Sequence, residues 1–143
     1  MPAAHVAPPS LPSPSGTRAS PIPLSASSRD FIEMLAFIYL QHHRAADAAV
    51  LLELLAHATG DIRFKGAAAL AQLRADRADK ALRIIESVPL LSQLTPEFQL
   101  LRAQSLYALE RHPEAAAAMQ AFVASRLAAQ RKEAPSTIDT KNN

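Results

Sequence analysis

Ala48-Ala49-Val50-Leu51-Leu52-Glu53-Leu54-Leu55 sets a small residue, Ala48, four and seven positions ahead of Leu52 and Leu55. That spacing places all three on one face of a helix. The pattern returns in Ala81-Leu82-Arg83-Ile84-Ile85-Glu86-Ser87-Val88 as Ala81, Ile85 and Val88. It returns again in Ala115-Ala116-Ala117-Ala118-Met119-Gln120-Ala121-Phe122 as Ala115, Met119 and Phe122. The recurrences are 33 and then 34 residues apart. A period of this size marks stacked helix-turn-helix units, none of which can bury its apolar face alone. Stacked units present an extended surface to a partner, so the spacing points to a binding module rather than an enzyme. Ala48, Ala81 and Ala115 are expected at the close-packing points between paired helices.

The helices that precede these stretches also recur. Ile32, Leu35 and Tyr39 are matched by Gly66, Ala69 and Leu73 and then by Leu100, Ala103 and Tyr107, at a constant step of 34. The two steps disagree in the second unit. Either a turn there is one residue shorter, or the face of one helix is misassigned. Six helices are expected, over about 28–43, 45–58, 62–75, 79–88, 96–110 and 113–131. Ser28 is placed to cap the first, with Asp30 in its first turn. Gly60 closes the second, and Thr95-Pro96 opens the fifth with proline at the first helical position. Arg83 with Glu86, and Arg111 with Glu114, are expected as surface pairs worth a few tenths of a kcal/mol.

The fold class expected is all-α, three helix pairs stacked as a short solenoid over residues 29–133. Of the eleven prolines, seven fall in residues 1–28, interspersed with Ser and Ala. Each proline deletes a backbone donor, so 1–28 is expected to be a disordered tail, and 134–143 a second one. Only three glycines occur in 143 residues, which argues against a turn-rich β fold. With no cysteine, disulfides, thiol catalysis and thiolate metal sites are excluded. The formal net charge of +2, with both signs interspersed, lacks the basic stripe of a nucleic-acid binder. The longest apolar run, Met34 to Leu40, is far short of the roughly 20 residues that span a bilayer. Prolines interrupt the first residues where a signal peptide would need an unbroken apolar stretch, so a cytoplasmic location is expected.

No residue is assigned a catalytic, cofactor-binding or metal-binding role. His42 and His43 point about 100° apart on a helix, and His5, His57 and His112 lack ligand spacing. Phosphate-cradling glycine loops, nucleophile elbows and His-Glu-x-x-His are absent from the sequence.

The pattern resembles tetratricopeptide repeats. Leu35-Ala36-x-x-Tyr39 with Ala48, Leu52 and Leu55 carries the likeness in the first unit. The stretch from Ala103 to Ala115, through Leu106-Tyr107-Ala108-Leu109-Glu110-Arg111-His112-Pro113-Glu114, carries it best. The second unit departs from the pattern, with Gly66-Ala67-Ala68-Ala69 in place of bulkier residues, and the turn glycines usual in the family are missing. A three-repeat chain of this size is also similar to the chaperones of bacterial type III secretion. The run from Leu40 to Glu53 is closest in rhythm to the YscY type, and the YscG and SycD types share the architecture. The resemblance implies a cytoplasmic chaperone of a Gram-negative bacterium with a small secreted client of the YscX type. It also implies contact with the export gate, and a homodimer when the client is absent. The alternative reading is a structural adaptor in a multiprotein assembly.

The residues expected to bind the partner are Phe37, Leu40, Gln41, Leu70, Leu73, Arg74, Leu100 and Tyr107, in a concave groove lined by the first helices. Were the turn of the second unit shorter, Leu70, Leu73 and Tyr107 would rotate inward. Phe64, Arg74, Phe98 and Leu101 would then line the groove. The segment from Phe31 to Leu40 has one charge in ten residues and is apolar around its whole circumference. A helix of that kind must be covered by the tail, by the last helix or by a partner.

Overall fold

A computed structural model describes Pro9 and residues 23–134 of the chain. Most of the two expected tails therefore lies outside the described residues. Within them the fold is all-helical, with no strand. Seven helices follow in order: α1 (Ala26–Gln41), α2 (Ala45–Thr59), α3 (Ile62–Arg74), α4 (Ala78–Glu86), α5 (Leu90–Gln93), α6 (Pro96–Ala108) and α7 (His112–Glu133). The pairs α1/α2, α3/α4 and α6/α7 pack within themselves, while α2 packs on α3, α4 on α6, and α3 on α6.

The three turns inside the pairs have one geometry. His43, Asp76 and Glu110 adopt φ of 58°, 59° and 60°. The following N–H groups of Arg44, Arg77 and Arg111 donate to the carbonyls of Tyr39, Gln72 and Leu106 at 2.8, 2.9 and 2.9 Å. A left-handed residue is the ordinary way to end a helix, and glycine is its usual occupant. Here side chains stand in a conformation that costs L-residues about 1 kcal/mol or more.

These turns resolve the conflict in the spacing. The turn of the second unit is as long as the other two. Tyr39, Gln72 and Leu106 are equivalent, and the first helices step by 33 and then 34 just as the second helices do. The face of α1 had been set one residue too early: Ala36, not Leu35, is the counterpart of Ala69 and Ala103, and all three are buried. The extra residue of the longer step enters after α4, which stops at Glu86 and is followed by the one-turn α5. Periodicity does not reveal so short a helix. Gln93 ties this connection down, its Nε2 donating to the carbonyl of Val88 at 2.7 Å, and Gln99 Nε2 donates to the Gln93 carbonyl at 3.0 Å.

Local capping departs from expectation at the start of α1. Ser25 caps it, accepting from the Ser28 N–H at 3.1 Å, so the helix begins before Ser28 and takes in residues assigned to the tail. Gly60 closes α2 with φ 68°, as expected. Thr95 occupies the cap position of α6, but its hydroxyl donates to the Ser92 carbonyl at 2.8 Å instead of capping. Arg83 pairs with Asp79 at 2.7 Å rather than with Glu86, and Arg111 pairs with Glu114 at 2.6 Å.

The core is a run of three clusters. Ala36, Ala48, Leu52, Leu55 and Phe64 join α1, α2 and α3. Ala69, Ala81, Ile85, Val88 and Phe98 join α3, α4 and α6. Leu82, Ala103, Leu106, Ala115 and Ala118 join α4, α6 and α7. The repeated alanines are all buried, which lets paired helices approach closely. Each buried Leu or Ile contributes about 1.5–3 kcal/mol.

Candidate partner-binding groove

The corrected register puts the expected site residues on one recurring face. Glu33, Gly66 and Leu100 are equivalent, followed by Phe37, Leu70 and Gln104, then Leu40, Leu73 and Tyr107, then Gln41, Arg74 and Ala108. Within each helix the first three positions lie four and then three residues apart, and the last lies four beyond the second, so together they form one stripe. Leu70, Leu73 and Tyr107 thus stay on this face. Of the alternative set, Phe64 is buried in the core and Arg74 is exposed, whereas Phe98, buried for most of its surface, and Leu101 line the cavity between α3 and α6.

Between α3 and α6 the face opens into a cavity of about 700 Å³, with Gly66, Ala67 and Leu70 on one wall and Phe98, Leu100 and Gln104 on the other. Its cause is the run of small residues that makes the second unit a poor match to the repeat pattern. At Gly66 an added Cβ would meet the Phe98 ring at 3.5 Å, so the missing side chain leaves room beside that ring. Ser92 and Thr95, from the connection around α5, close one end. Sequence reasoning missed these two, because a one-turn helix carries no periodic signal.

Gln104 is shared with a second cavity, of about 500 Å³, between α6 and α7, where Tyr107, His112 and Met119 meet. The rings of Tyr107 and His112 stand edge to face with centroids 5.1 Å apart. Ala116 and Met119 are shared in turn with a shallower trough along α7 that reaches Val123 and Leu127. Three cavities therefore lie in series from α3 across α6 onto α7, the first two adjoining at Gln104 and the last two at Ala116 and Met119.

The structure brings Leu70 and Leu100 into the first cavity and Tyr107 into the second. Phe37 is 60% exposed on α1 and Tyr107 68% exposed on α6. Leu40 packs against the first core cluster and Leu73 against the second, each half-buried. Gln41 and Arg74 end their helices as exposed residues. These last four and Phe37 line neither cavity.

Charge enters this surface at the first cavity, which Arg63 and Glu97 also line. The side-chain hydrogen bond from Arg63 holds the Asp61 carboxyl below its usual range, and hydrogen bonds from Arg83 and Arg111 do the same for Asp79 and Glu114. All three carboxylates sit at helix starts, where negative charge is favoured. Among the described residues, no group of three or more His, Cys, Asp or Glu side chains could hold a metal ion. Nor is any described helix long and apolar enough to cross a membrane.

Comparison with known proteins adds no relative: no family model matches the chain, and no curated protein matches it.

Proposed function

We propose that this chain is a tetratricopeptide-type repeat protein acting without catalysis, as a cytoplasmic chaperone that holds a small secreted client of a type III secretion system. The observation that carries the reading is the series of adjoining, mostly apolar cavities from Leu70 and Leu100 through Tyr107 to Met119. Apolar walls with polar and charged groups at the first cavity, Arg63, Glu97 and Gln104 among them, suit an amphipathic helix. Phe37 and Leu40 lie on the same face of α1 and extend the surface available to such a client. The identical turns at His43, Asp76 and Glu110 support the repeat assignment. Among secretion chaperones the YscY type fits best by sequence rhythm, with a YscX-like client.

The test is co-expression with the product of the adjoining reading frame, followed by purification and stoichiometry. A one-to-one complex is expected. Phe37→Glu should abolish it while circular dichroism still reports a helical fold, because truncating one aromatic anchor is typically worth about 2 kcal/mol or more. A folded Phe37→Glu protein that retains its client would overturn the groove assignment. Recovery of many assembly components in place of one client would favour the adaptor reading.

A further inference from the structure

The two ends of the helix array are the open halves of one contact that the molecule makes twice inside itself. Phe31, Phe64 and Phe98 hold the same position in α1, α3 and α6. Phe64 shares a buried cluster with Leu52 of the preceding α2, and Phe98 shares one with Ile85 of the preceding α4. Both phenylalanines are 6% exposed, whereas Phe31, on the first helix among the described residues, is 59% exposed. Ile38 repeats the contrast: its counterparts Ala71 and Ser105 are fully buried, yet Ile38 is exposed.

The other end shows the complementary gap. Met119 is the counterpart of Leu52 and Ile85, which are buried against the following unit, but Met119 is 40% exposed. Ala116 and Val123 stand where α2 has the buried Ala49 and Ala56, and both are exposed. The chain thus displays an aromatic knob on α1 and, on α7, the surface that receives such a knob elsewhere in the fold. The charge balance has the same sense. Asp30 and Glu33 outnumber Arg29 on α1, while Arg126, Arg131 and Lys132 outnumber Glu133 on the second half of α7.

We propose that α1 of one copy docks on α7 of a second copy, reproducing between molecules the packing of α2 on α3 and of α4 on α6. Such a contact is heterologous: each copy keeps a free α1 or a free α7, so association continues beyond the dimer. On α7 this contact uses Ala116, Met119 and Val123, which also line the last cavities of the proposed client surface, so a bound client and a second copy compete there, and the association is measured on the chain without client.

Light scattering coupled to size exclusion, over a wide range of protein concentration, tests it. The average mass of the full chain should rise with concentration past that of a dimer. Phe31→Glu and Met119→Glu should each abolish the rise. An equimolar mixture of the two variants, which together retain one intact α1 and one intact α7, should form a heterodimer and stop there. Phe37→Glu should associate like the parent. Ile38→Glu and Val123→Glu give the same reading should either first variant lose its helical signal. Three results overturn the proposal: a parent chain that stays monomeric throughout, loss of association with Phe31→Glu but not with Met119→Glu (a symmetric pairing of α1 helices), and a variant mixture that stays monomeric.

Discussion

Phe64 in α3 and Phe31 in α1 are the same residue at the same repeat position, one buried and the other open to solvent. Among the described residues the difference lies in the neighbour, since α3 packs on α2 while no described helix precedes α1. Burial of this side chain is therefore a property of position along the stack of helices. The first helix reads as apolar all round because it carries both the inward face of its own pair and an outward face that no other described helix covers.

Substitution at the two phenylalanines should separate these roles most sharply. Phe64→Ala is expected to lower stability by about 3–5 kcal/mol in denaturant titration, the usual range for deleting a buried aromatic ring. Phe31→Ala, measured at protein concentrations low enough to prevent association, should change it by no more than about 0.5 kcal/mol. Equal effects would mean that α1 is covered as thoroughly as α3.

A smaller effect is expected where the units share a feature. Ala81 is fully buried between paired helices, and Ala81→Leu should overpack that contact at about 1–3 kcal/mol. Unchanged stability would break the equivalence of Ala48, Ala81 and Ala115. The smallest concerns the turns. Glu110→Gly should raise the midpoint of thermal unfolding, because relief of a left-handed conformation costing about 1–2 kcal/mol exceeds the added freedom of the unfolded chain, about 0.4–1 kcal/mol. Asp76→Gly should gain less, since aspartate visits that region more readily. A loss of stability at Glu110 would show that its side chain makes the turn rather than tolerating it.

What could be read from the sequence follows the same division between inside and end. Ala48, Leu52 and Leu55 and their two echoes were legible because a small residue followed four and seven positions later by larger apolar ones returns after 33 and then 34 residues. The face of α1 was not, because Leu35, Ala36 and Phe37 offer no polar residue to mark which side turns inward, and the assignment slipped by one. The breaks between paired helices were legible near 43, 76 and 110, but their shared left-handed geometry was not, because His43, Asp76 and Glu110 occupy the place of the glycines that announce it elsewhere. The cavity beside Gly66 was hidden for a different reason: it arises from side chains that are absent, and apolar patterns register only those that are present. Leu70, Leu100 and Tyr107 still fall beside cavities despite the slip, because the second and third units keep the same step of 34 in both registers.

The central claim, that the face shared by α3 and α6 receives a client, is tested most directly by hydrogen–deuterium exchange on the chain alone and in complex with the co-purifying secreted protein. Slower exchange is expected across 66–73 and 100–107, with the exposed side of α2 around Val50 and Leu54 unchanged. Slowing confined to α2 and α4, with 66–73 and 100–107 unaffected, would contradict it.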